Sequence, residues 1–99
     1  MTLEFHPDVQ RDVNRILAFY WREGGQSLAD RFYAAMVERL TAVAHHPERF
    51  SPYLGNAVFR RAIIEKFHHL IIFRIKGDTV RVIVVKHERR HPRHGMSRW

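Results

Sequence analysis

Apolar residues return every three or four positions through the first half of the chain. Val9, Val13, Ile16, Leu17 and Tyr20 fall on one face of a helix, with Gln10, Arg11, Asp12 and Arg15 expected to point outward. Ahead of them, Thr2 to Phe5 is a short strand-like run. His6-Pro7-Asp8 then reads as a helix start, because proline is pre-set for the first turn and an acid suits the positive end of the helix dipole. Gly24-Gly25 ends this periodicity. Ser27 to Asp30 has the spacing of a capping box, and Ala29, Phe32, Met36, Leu40 and Val43 repeat a helical face until Pro47 forbids continuation. The link between the two runs is short, which predicts a two-helix antiparallel hairpin.

Between Pro47 and Asn56, two prolines, a glycine and polar residues mark a loop, with Phe50, Tyr53 and Leu54 expected to tuck against the core. The period then drops to two. Val58 to Ile64 alternates, Phe67 to Ile75 is a near-continuous apolar run, and Thr79 to Lys86 alternates again after the tight connection Lys76-Gly77-Asp78. Three antiparallel strands in a meander follow, and their apolar face needs a cover that the helical hairpin supplies. The expected fold is α+β, in the order βααβββ, as one domain over residues 1–99. Residues 87–99 form a basic tail. Since the last strand ends near Lys86, removing the residues after His87 is expected to leave a folded domain.

Charge divides the chain. The whole carries a formal +7 over 99 residues. Residues 1–57 hold six Arg/Lys against seven Asp/Glu, a net of −1, and residues 58–99 hold eleven against three, a net of +8. A basic half beside a neutral half points to an anionic partner, either nucleic acid or an acidic protein segment. The absence of cysteine removes disulfides, thiolate metal sites and thiol nucleophiles from consideration. No run approaches the roughly 20 apolar residues of a membrane span, and MTLEFHPDV lacks the layout of a signal peptide, so a cytoplasmic protein without a membrane partner is expected.

Several pieces taken in order are similar to one family. FHPDV near the start, the aromatic pair Phe19-Tyr20, HHPERF before the loop, FRRAII, the hairpin KFHHLIIFRIKGDTVRVIVV and the closing HERRHPR resemble the ParE/RelE superfamily of toxins from bacterial type II toxin–antitoxin systems. The likeness spans nearly the whole chain. It is nearer the ParE branch, whose last strand commonly runs into a His-x-x-Arg-x-Pro-like close; here His91 stands where an acid usually precedes the proline. The resemblance implies a two-helix hairpin on an antiparallel sheet and no cofactor. It also implies a cognate antitoxin that wraps and silences the toxin, and contact with operator DNA only through the antitoxin complex. ParE-like members are associated with poisoning DNA gyrase, and RelE-like members with cleaving mRNA on the ribosome. A nucleic-acid-binding module or an inactive toxin homologue are the other readings.

Cleavage of the RelE kind drives the ribose 2′-hydroxyl onto the adjacent phosphodiester, which needs a base, cations on the phosphate and an acid for the leaving oxygen. Arg61 and Arg81 are candidate phosphate clamps, and His69 and His87 candidate proton carriers. Ribonuclease members tend to place an arginine near the position of Leu70 and a tyrosine late in the chain, whereas the last tyrosine here is Tyr53. His87, His91 and His94 suggest a metal only if the tail were helical, and Pro92 opposes that, so no metal is assigned. Arg89, Arg90, Arg93 and Trp99 are the candidate target-binding residues of the tail, the alternative being a solvated end. Tyr20, Trp21 and Tyr33 offer more aromatic surface than one helical face buries. Arg74 and Arg81 are expected to oppose each other across the last hairpin, where like charges call for an acidic partner. These five are the candidate antitoxin contacts.

Overall fold

The structure of the protein, a computed structural model, describes residues 1–99 apart from the side chain of Ala57. The chain runs through strand β1 (Thr2–Phe5), helical segment α1 (Val9–His45), a single 3-10 turn at Pro47–Arg49, and strands β2 (Pro52–Tyr53), β3 (Asn56–Ile64), β4 (His69–Lys76) and β5 (Thr79–His87). The five strands form one sheet in the order β1-β5-β4-β3-β2. This differs from the expected antiparallel meander in two ways. β2 adds an edge of two residues, and β1 lies parallel to β5, with Thr2 opposite Thr79 and Phe5 opposite Val82. The sheet is therefore mixed, because the meander β3-β4-β5 ends with β5 running in the direction of β1 and offers it a free edge.

The expected pair of separate helices is replaced by one helical segment bent at its middle. Gly24 (φ −152°, ψ 18°) and Gly25 (φ 73°, ψ −169°) are its non-helical residues. A φ of +73° is left-handed backbone that glycine adopts without the Cβ penalty, so two residues suffice to turn the chain and no loop is needed. The rings of Tyr20 and Phe32 stack at 5.3 Å across the bend. In an unbroken helix, residues twelve apart would be about 18 Å apart along the axis.

Helix and sheet enclose a first core around Phe32, Val43, Ile64, Ile71, Phe73, Val80 and Val82. A second core, of Tyr53, Phe59, Leu70, Ile72, Ile83 and Val84, lies on the opposite face of the sheet. The bulge in β5 serves both: Phe73 pairs with Val82 and Ile72 with Val84, so Ile83 is the extra residue. Ile83 and Val84 then both join the second core while Val85 returns to the first. Burial on both faces is why β4 reads as a continuous apolar run.

The second core needs a cover, and the tail supplies it. Met96 packs against that core. Gly95 (φ 81°) comes so close that a Cβ there would lie 2.7 Å from a methyl of Val84. This packing runs against the expectation that the residues after His87 are dispensable for folding, since their removal would uncover Leu70, Ile72, Ile83 and Val84. A meander with one covered face was expected, and the alternation of the outer strands concealed the second.

Candidate functional site

Three of the points of contact that hold the tail determine which of its cations are free. Asp12, expected to point outward, is buried. Its carboxylate accepts a forked pair of hydrogen bonds from Arg98 (Nη1 to Oδ2 2.7 Å, Nη2 to Oδ1 3.1 Å) and one from the Val85 backbone N–H at 3.1 Å. Arg98 Nη1 also donates to the Ile83 carbonyl at 3.0 Å. The hydrogen bonds to Asp12 raise the Arg98 pKa further above its ordinary value. A planar fork of this kind suits a carboxylate in a way that a lysine ammonium does not. A signal for this was present in the spacing. Asp12 lies three residues after Val9 and four before Ile16, which puts an acid on the apolar face itself.

The second point is Lys86, also buried. Its Nζ donates to the backbone carbonyls of Pro92 (2.8 Å), His94 (2.9 Å) and His91 (3.3 Å), and stands 5.1 Å from the centre of the Tyr53 ring. Burial, with Arg90 and Arg98 nearby, lowers its pKa to about 8. The Tyr53 hydroxyl donates to the same Pro92 carbonyl at 2.9 Å, and burial raises the Tyr53 pKa. The third point is Trp99. Its backbone oxygen accepts from Arg81 Nε, its ring lies 4.5 Å under the Arg74 guanidinium, and its ring centre is 5.9 Å from that of Phe59.

The like charges of Arg74 and Arg81 do oppose each other in the strand register. They are relieved within the chain, because Arg81 pairs with Glu4 of β1 at 2.8 Å and Arg74 stacks on Trp99. Their juxtaposition therefore does not by itself demand an external acid. Arg89, Arg90 and Arg93 are exposed, and among the described residues none of their side chains is in an ion pair.

The four residues named for RNA cleavage are split between the faces of the sheet. His69 packs its ring on Phe32 (5.1 Å) and Tyr20 (5.8 Å), on the helix side, and His87 meets His69 at 5.0 Å. Arg61 alternates with Ala62 of the first core and so faces the other way; Arg81, alternating with Val80 and Val82, shares that tail-covered face. His69 Nδ1 lies 2.6 Å from the Phe67 carbonyl, which places its proton on that nitrogen. Burial lowers the His69 pKa, the Phe67 carbonyl partly opposing it and His87 adding to it. Tyr20 belongs to this aromatic cluster rather than to the open surface. His87 and His91 each accept a backbone N–H, from Arg89 and Arg93, at Nδ1. Among the described residues no three His, Asp or Glu side chains are placed to hold a metal.

On the helix side, Trp21 (57% exposed) and Tyr33 (51%) line one hollow between the two arms, with Leu17 and Ala29. Tyr33 continues into a second hollow of about 350 Å³, with Phe5, Val9, Met36, Val37 and Leu40. Phe5 and Val37 are likewise exposed, so an apolar strip with Tyr33 at its centre runs along the helical layer. Among the described residues no helix is long and apolar enough to cross a membrane.

Residues 3–92 match the family described as the ParE toxin of the type II toxin–antitoxin system, parDE. The chain belongs to the ParE toxin family. Solved structures share the fold, two of them as follows. The chromosomal ParDE TA system from P. aeruginosa superposes with a TM-score of 0.78 at 17% identity, over 88% of this chain and 95% of that one. The isolated E. coli RelE toxin does so with a TM-score of 0.59 at 15% identity, over 97% and 93%. No curated protein matches the chain. As a ParE-family toxin of a type II system, the protein has an antitoxin as its implied partner.

Proposed function

We propose that this ParE-family chain arrests bacterial growth by binding its target rather than by cutting RNA, with DNA gyrase as that target, and that an antitoxin segment silences it. The observation that carries this reading is the division of Arg61 and Arg81 from His69 and His87 by the sheet. Transesterification needs base, acid and phosphate clamp around one phosphodiester. Here His69 is packed under the helices with His87 against its ring, on the face away from Arg61 and Arg81, and Arg81 is already engaged by Glu4 and Trp99. Among the described residues the exposed Arg89, Arg90 and Arg93 are the tail's cations without an ion pair, and they are assigned to the target, as is the exposed ring of Trp99.

The antitoxin segment is assigned to the apolar strip through Trp21 and Tyr33, where an amphipathic helix laid in the groove finds aromatic anchors. An acidic continuation reaching the opposite face of the sheet would compete with Glu4 and Trp99 for Arg81 and meet Arg74 where it stacks on Trp99. Part of the affinity should then fall with added salt, as screening over about 10 Å at 0.1 M weakens exposed pairs and spares apolar anchors. The deciding experiment is expression in a bacterium without the antitoxin. Filamentation and an SOS response with translation continuing support the proposal. Immediate loss of translation with mRNA cut in the ribosomal A site overturns it in favour of the nuclease.

A further inference from the structure

A small cavity opens where the first arm of α1, the end of β5 and the start of the tail meet. Its volume is about 80 Å³, against roughly 30 Å³ for one water's share of the liquid. The lining is unusual for a space of that size. Arg15 comes from α1, His69 from β4, Lys86 and His87 from β5, and Arg90 and His94 from the tail. Among the described residues Asp12 is the one acid in the lining, and its carboxylate is already occupied by Arg98 and the Val85 N–H.

The cavity therefore gathers three permanent or near-permanent cations and three imidazoles with no free counter-charge. Lys86 contributes charge but few free donors, since three backbone carbonyls hold its ammonium. Arg15 and Arg90 are different: among the described residues neither guanidinium has an ion pair, and both are exposed at the rim. His87 accepts the Arg89 N–H at Nδ1, so its neutral ring carries the proton on Nε2 and has a donor to offer. The crowding is felt by the titrating groups. Besides burial, Arg90 and Arg98 hold both Lys86 and His94 below their ordinary values.

We propose that this cavity is a binding site for a single phosphate group, held by the Arg15 and Arg90 guanidiniums at the rim and by the His87 and His94 rings within, above the buried charge of Lys86. Two guanidiniums and imidazole donors suit a tetrahedral oxyanion. The volume suits a free phosphate or a terminal monoester better than the middle of a polynucleotide strand, whose phosphates carry substituents on both sides. Occupation would join α1, β5 and the tail through one ion and so tighten residues 88–94.

The test uses the full chain. Its thermal transition is followed while inorganic phosphate, a nucleoside 5′-monophosphate or the unphosphorylated nucleoside is added, each at ionic strength matched with chloride. Phosphate and the monophosphate should raise the transition saturably and the nucleoside should not. Hydrogen exchange in residues 88–94 should slow with the same midpoint. In Arg15→Ala/Arg90→Ala, which removes two exposed side chains, the dissociation constant should rise at least about tenfold, the equivalent of one hydrogen bond to a charged group. An unchanged shift in the double variant means a general salt effect on the fold and overturns the proposal. A shift produced by an oligonucleotide but by neither small phosphate also overturns it, since the basic surface would then be reading a polyanion.

Discussion

Replacing Arg98 by alanine tests whether the tail is part of the fold. The substitution removes a guanidinium whose side chain is 15% exposed and leaves Asp12, 2% exposed, with the Val85 N–H as its remaining partner. Breaking one side of a buried pair typically costs about 3–5 kcal/mol, because the surviving charge stays desolvated. Arg98 reaches solvent in part, so water can follow it out, and the lower end, about 3 kcal/mol, is expected. For a domain of this size each kcal/mol lowers the melting temperature by about 4–8 °C. A fall of roughly 12–24 °C follows by that conversion, and against a total stability of about 5–15 kcal/mol it is a large share. Urea and thermal unfolding followed by circular dichroism measure it. Arg98→Lys should recover part of the loss, as a point charge makes one bond where the fork makes two. In the double variant Asp12→Ala/Arg98→Ala, the combined loss should be smaller than the sum of the single ones. A melting temperature within about 2 °C of the parent for Arg98→Ala would refute the reasoning, since the pair would then contribute no more than an exposed bridge.

Three further outcomes are expected. Lys86→Met should retain the apolar stem and lose the donor shared by the His91, Pro92 and His94 carbonyls; a loss of about 1–3 kcal/mol is expected, with faster hydrogen exchange in residues 88–96, and unchanged exchange there would show that Lys86 does not hold the tail. His69 has a folded pKa below its ordinary 6.5, chiefly through burial. Its neutral ring therefore supports the fold fully above pH 6.5, and that support is lost as the pH falls through the lowered folded value. Urea unfolding from pH 7 to 5 should show declining stability, and His69→Gln a shallower decline, although His94, shifted in the same direction, keeps part of the slope. Replacing Arg89, Arg90 and Arg93 together by alanine should change stability by no more than about 0.5 kcal/mol per site, while growth inhibition falls; full toxicity in a stable triple variant would place the target surface elsewhere, and unfolding would show these arginines to be structural.

What the chain shows on its own is what short-range periodicity records. The helical faces of Val9 to Tyr20 and Ala29 to Val43, the change of period at Val58, the turn at Gly77-Asp78 and the family likeness are all local patterns, and each survives in the folded protein. The bend was legible as Gly24-Gly25, but that it needs no loop follows from the left-handed φ at Gly25, which no spacing reveals. Partnership across distance was not legible. β1 is four residues long, and its parallel seat beside β5 depends on where the meander ends. The bulge at Ile83 shifts one residue between faces, so a strand that alternates in sequence feeds two cores. The basic tail reads as target contacts or a solvated end because composition reports charge and not position. In the fold, Arg98 forks onto the buried Asp12, Trp99 lies against Arg74 and Arg81, and Lys86 gathers three carbonyls, while among the described residues Arg89, Arg90 and Arg93 are the arginines of residues 87–99 left without an ion pair. Burial of an ion pair is a property of two segments 86 residues apart, and only the tertiary structure brings them within hydrogen-bonding distance.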